Sequence, residues 1–67
     1  MQKRSLSIAG HRTSLALEPE FWHGLEEMAA GRQLSIAALV REIDETRETA
    51  NLSSALRIAV LRWYQAR

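Results

Sequence analysis

Arg12-Thr13-Ser14-Leu15-Ala16-Leu17, followed at once by Glu18-Pro19-Glu20-Phe21-Trp22, is the stretch that decides the fold. Thr13, Leu15 and Leu17 alternate with Arg12, Ser14 and Ala16, and a period of two puts the two sets on opposite faces of a strand. Pro19 ends that strand, because it has no N–H for a ladder, while its fixed φ suits the first position of a helix. A strand over 11–17 therefore runs straight into a helix over 19–30. Phe21, Trp22, Leu25, Met28 and Ala29 form the apolar stripe of that helix, with Leu17 and Trp22 at the spacing of a hydrophobic staple. Gly31 reads as its left-handed stop, and Gly24 in its interior implies close approach by another element.

Downstream the pattern stays helical. Ser35 is a good N-cap for a helix over 35–47 with Ile36, Leu39, Val40 and Ile43 buried, and Arg41 and Glu45 pair on its outer face. Asn51 caps a third helix over 52–65, whose stripe is Leu52, Ala55, Leu56, Ala59, Val60 and Trp63, with Ile58 and Leu61 on another side. The chain thus reads as mostly α with one short, well-marked N-terminal strand, which must find a partner for its backbone N–H and C=O groups.

Size points to where that partner comes from. A single domain of 67 residues buries only about 60% of the surface its unfolded chain exposes. With no cysteine there is no disulfide to compensate. A second copy is the simplest supplier: two strands, antiparallel across a two-fold axis, make a ribbon between chains in an intertwined homodimer. Leu15, Leu17, Leu39, Ile43, Leu56 and Trp63 then form the shared core, and Arg12, Ser14 and Ala16 point outward. Residues 1–9 are an arm or an extra strand, since Leu6 and Ile8 alternate with serines. A hairpin turning at Gly10-His11, with Ile8 facing Thr13 and Leu6 facing Leu15, is the rival, and a four-stranded sheet containing both pairings also fits.

Charge is unevenly spread despite a formal net charge of +1. Lys3, Arg4 and Arg12 precede the first acid, Glu18, and no acid follows Glu48. The arm residues Lys3 and Arg4 suit a phosphate backbone, and the free N–H groups that begin the second helix, at Ile36 and Ala37, suit a phosphate. No apolar run approaches the roughly 20 residues of a membrane span, and no signal peptide is evident, so a cytoplasmic protein is expected. His11 and His23 have no paired ligand spacing, so no metal or other cofactor is expected, and the carboxylates sit on helix surfaces without catalytic apparatus.

Strand, helix with an acidic first turn, Gly-containing turn and Ser-capped helix, in this order over Arg12 to Ile43, resemble the ribbon-helix-helix superfamily of the Arc and MetJ repressors. Lys3-Arg4-Ser5, Gly10-His11-Arg12-Thr13-Ser14, Leu17-Glu18-Pro19-Glu20-Phe21-Trp22 and Ala50-Asn51-Leu52-Ser53-Ser54-Ala55-Leu56-Arg57 are similar to a small bacterial ribbon-helix-helix group with an extra C-terminal helix. The resemblance implies a homodimeric transcription regulator, a repressor or autoregulator of antitoxin-like kind. Its ribbon would enter the major groove of double-stranded DNA on the nucleoid, with adjacent dimers binding together. Carried over by position, Arg12, Ser14 and Ala16 would read bases, and the main chain of Ser35, Ile36 and Ala37 would clamp phosphate. Ala16 departs from the usual polar reader and offers only a methyl group. The alternative is a dimerisation or adaptor module that engages a protein partner, such as a toxin, through the ribbon or the third helix.

Overall fold

The computed structural model describes residues 1–67 as two strands and three helices: β1 (Gln2–Ile8), β2 (His11–Leu17), α1 (Pro19–Gly31), α2 (Ile36–Thr46) and α3 (Leu52–Gln65). An N-terminal antiparallel ribbon followed by helices, with α3 beyond the ribbon-helix-helix unit, is the expected architecture. Of the pairings the sequence allowed, the hairpin is made within the chain, β1 against β2, and its register differs from the expected one.

The turn explains the difference. Ala9 and Gly10 take φ values of 53° and 83°, the two positive values of a two-residue hairpin turn that matches the twist of its strands. Glycine does this freely, whereas Ala9 gives up part of the about 1–2 kcal/mol that left-handed backbone costs an L-residue. Because the turn is Ala9-Gly10 and not Gly10-His11, the register pairs Leu6 with Thr13 and Ile8 with His11, not Ile8 with Thr13 and Leu6 with Leu15. Facing residues share a side, so Leu6, Ile8, Thr13, Leu15 and Leu17 all fall on the face turned to the helices.

That face closes a core within the single chain. Leu17, Trp22, Leu25, Leu39, Val40 and Leu56 are its largest fully enclosed side chains. Of the six residues expected in a core shared between chains, Leu15, Leu17, Leu39, Ile43 and Leu56 are buried by their own chain, and Trp63 is packed against it half-buried. No buried side-chain polar atom lacks a hydrogen-bond partner. β1, β2 and all three helices contribute to this core.

The helices begin and end for local reasons. The Ser35 hydroxyl accepts from the Ala38 N–H at 3.0 Å, and the Asn51 side chain accepts from the Ser54 N–H at 3.2 Å, each satisfying one orphan donor. At the end of α1 the left-handed residue is Gln33 (φ 57°) and not Gly31. The N–H of Leu34 returns to the Ala29 carbonyl at 2.9 Å and that of Gln33 to the Ala30 carbonyl at 3.1 Å, a Schellman closure two residues later than expected. Gly31 is small for another reason: a Cβ there would lie 3.3 Å from the Trp63 ring.

Gly24 marks where α1 and α3 touch. A Cβ at this position would come within 2.6 Å of Val60 Cγ1, and valine on a helix has little freedom to turn away. Gly24→Ala should therefore destabilise by about 1–3 kcal/mol through overpacking, although alanine is the better helix former. Val60→Ala added to it should restore part of the loss in urea unfolding. Ala9→Asn should raise stability by about 1 kcal/mol, since asparagine tolerates the left-handed turn better; an unchanged urea midpoint would contradict the hairpin.

Candidate nucleic-acid interface

The outer face of the ribbon carries Lys3, Ser5 and Ser7 from β1 opposite Ala16, Ser14 and Arg12 from β2. All are exposed except Ala16, which is half-buried. The face thus bears cations, hydroxyls and one methyl group, with no acid and no large apolar side chain. Its two rows come from one alternation each; the sequence points to Arg12, Ser14 and Ala16 of the β2 row and to Lys3 of the β1 row, but not to Ser5 or Ser7. Ser5 and Ser7 were legible in the Leu6/Ile8 alternation, but their role depends on the turn that folds β1 alongside β2.

Arg12 is extended along this face, its Nη1 donating to Ser7 Oγ at 3.4 Å. No carboxylate lies within ion-pair distance of Lys3, Arg12 or Arg62, whereas each of the other six basic residues has one. Two of the three unneutralised cations therefore stand on the ribbon. Ser14 sits at the centre of β2 opposite Ser5, and Lys3 flanks Ala16.

Arg4, grouped with Lys3 in the sequence, goes to the other face. Its guanidinium lies 4.7 Å from the centroid of the Trp22 ring and 3.4 Å from Glu26, where it covers the core instead of joining the outer surface. At the start of α2, Ser35, Ile36 and Ala37 stand together. The Ile36 and Ala37 N–H groups have no acceptor within the chain, while the Ser35 hydroxyl is used by Ala38. These free donors at the positive end of a helix are able to hold an oxyanion.

Two acids close to the ribbon are held in ion pairs, Glu26 by Arg4 and Glu18 by Arg57. Glu18, which follows β2, is bound by Arg57 of α3 at 2.9 Å, and the Arg57 hydrogen bonds hold its carboxyl below the ordinary 4.5. On the α1–α3 side, Tyr64 Oη donates to Glu27 at 2.8 Å, which lowers the Glu27 carboxyl and raises the Tyr64 phenol. His23 also contacts Glu27, at 2.9 Å. No cluster of His, Cys, Asp or Glu is arranged to hold a metal ion, and no helix is long and apolar enough to cross a membrane.

The hairpin thus has a cationic, acid-free outer face, and α2 begins with free N–H groups; both are features that attract a polyanion. A family model described as "Ribbon-helix-helix domain" matches residues 1–64, and the chain belongs to that family. Ribbon-helix-helix domains are in general DNA-binding transcription regulators or antitoxins that bind DNA as dimers, and the fold is not an enzymatic one. No curated protein and no solved structure matches the chain.

The sign of the two carboxylate shifts sets a pH dependence. Both are depressed, so the stability they contribute is present above the unfolded value of about 4.5 and is lost as pH falls through the lower folded values. Thermal melts of wild type should fall as pH drops below about 4.5. Arg57→Met combined with Tyr64→Phe should flatten that acid limb, and an unchanged limb would show that neither contact contributes.

Proposed function

We propose that this protein is a homodimeric, sequence-dependent DNA-binding transcription regulator that lays its ribbon in the major groove. The observation that carries the proposal is the outer ribbon face, with unneutralised Lys3 and Arg12 among hydroxyls and without a single acid. Arg12 has the forked donors that fit guanine O6 and N7, Ser14 both donates and accepts, and Ala16 offers a methyl contact to thymine. Ser35, Ile36 and Ala37 contribute main-chain N–H groups to a phosphate.

Dimerisation completes the ribbon. Ile8 and His11 flank a two-residue turn and so form a hydrogen-bonded pair, which sends the odd-numbered backbone groups of β2 toward β1 and the even-numbered ones outward. The β2 edge carries no further strand, leaving the polar groups of Arg12, Ser14 and Ala16 free to pair. A two-fold axis at Ser14 uses all three: Ser14 meets its own copy and Arg12 meets the partner's Ala16. The result is a four-stranded sheet with β2 at its centre, an edge-to-edge dimer of chains that each already have a core.

In this reading the regulator acts as a repressor, an autoregulator or an antitoxin, on the nucleoid in the cytoplasm of a bacterium, with adjacent dimers reinforcing one another on the operator. A second reading, an adaptor for a protein partner such as a toxin, is favoured by one feature. Ile58 and Leu61 of α3 are 43% and 54% exposed, and Ile58 borders a cavity of about 310 Å³ between α3 and the end of α2, floored by Ile43, Ala55 and Ala59.

Selection from a random duplex library separates the two. The DNA-binding reading expects enrichment of an inverted repeat, and Arg12→Ala should relax the preference at one position per half-site by about 1–3 kcal/mol. Absence of binding to any duplex at low salt would leave the adaptor reading in its place.

A further inference from the structure

We infer that the two strands of each hairpin divide the contact with DNA: β2 enters the groove and reads bases, while β1 lies against the groove wall with Lys3, Ser5 and Ser7 on the sugar–phosphate backbone. The inference rests on the DNA-binding dimer proposed above and assigns to β1 a role that the base-reading strand does not cover.

Spacing drives the division. Neighbouring strands lie about 4.8 Å apart, and the major groove is about 12 Å wide. The two central β2 strands fit within it. The β1 strands stand three spacings apart, about 14 Å between axes, which brings them over the two walls. There the available acceptors are phosphate oxygens, and β1 presents the matching chemistry: an unneutralised ammonium at Lys3 and hydroxyls at Ser5 and Ser7, all exposed.

β1 is a held strand, not a loose arm. The Trp22 indole N–H donates to the Gln2 carbonyl at 2.7 Å, and Arg4 is drawn onto Trp22 and Glu26 on the opposite face. The backbone of Lys3, between them, is held with its side chain outward before any DNA arrives, so only the side chain is left to order on binding. The same register accounts for Ala16. Lys3 stands beside it on one side, and the two-fold at Ser14 brings the partner's Arg12 to the other. A methyl group leaves room for two long cations that go to different targets, Lys3 outward to phosphate and the partner's Arg12 inward to a base.

The test compares Lys3→Ala and the double variant Ser5→Ala/Ser7→Ala with wild type and Arg12→Ala. Full-length proteins are titrated with the selected duplex and with random duplex across a salt series, and ethylation interference maps the phosphates contacted. The altered side chains are exposed, and circular dichroism melts should match wild type. Lys3→Ala should weaken both duplexes by the same factor and reduce the salt slope by about two, close to one for each of two lysines per dimer. It should also erase interference at phosphates outside the read base pairs and leave the selected sequence unchanged. The double serine variant should weaken both duplexes equally with the slope intact. A changed base preference in Lys3→Ala would put β1 inside the groove and overturn the inference. So would an unchanged slope while Arg12→Ala still relaxes specificity, which would take β1 off the DNA and leave the functional reading standing. Loss of all low-salt binding by wild type would overturn both together.

Discussion

The structure depends on one hydrogen bond and the pairing it secures: the Trp22 indole donating to the Gln2 carbonyl at 2.7 Å. Trp22 is fully enclosed, so its N–H must find an acceptor inside the protein, and an unmet donor there would cost about 1–3 kcal/mol. The acceptor it takes is the first residue of β1. The helix that follows the second strand thereby fastens the beginning of the first, and the hairpin is closed at its open end as well as at its turn. Once β1 is fixed, the backbone of β2 is satisfied on one side, the apolar face has a roof of helices, and the chain of 67 residues gathers a core of its own.

The same closure sorts the charges. Arg4 is drawn inward onto Trp22, Glu18 is taken by Arg57, and Glu26 by Arg4. The ribbon's outer surface is left with cations that have no internal partner. Exposed ion pairs contribute little to stability, so their more important effect here is on the field. Glu18 and Glu26, which would repel a polyanion, are each engaged by an arginine, and the ribbon's outer face keeps Lys3 and Arg12 without a carboxylate beside them. Fold and proposed function meet at this point, because the register that buries Ile8, Leu15 and Leu17 and packs Leu6 against them is the one that aligns Lys3, Ser5, Ser7, Arg12 and Ser14.

Much of this was legible in the residues. The alternation from Arg12 to Leu17, the stop at Pro19, the caps at Ser35 and Asn51 and the close approach at Gly24 are local signals whose causes lie within a few positions, and the ribbon followed by three helices came from them. What was not legible turned on single backbone conformations. Whether β1 folds back on β2, and in which register, hangs on Ala9 adopting positive φ, which alanine disfavours, and shifting the turn by one position moves every cross-strand partner. The end of α1 is similar: Gly31 was the natural left-handed residue, but its lack of a side chain accommodates Trp63, and Gln33 turns the chain instead. Arg4 and Lys3 are adjacent and alike in charge, so only the parity set by the turn separates a core-covering residue from an outward one.

The central claim is that each chain makes its own hairpin and offers the β2 edge to a second copy. Isotope-filtered NMR on a mixture of labelled and unlabelled protein tests it directly, because contacts within and between chains appear in separate spectra. Cross-strand contacts between Ser5 and Ser14 should be found within a chain, and contacts between chains should centre on Ser14 and join Arg12 to the partner's Ala16. Contacts between Ser5 and Ser14 found only between chains would show that the strands are exchanged, and would contradict the account.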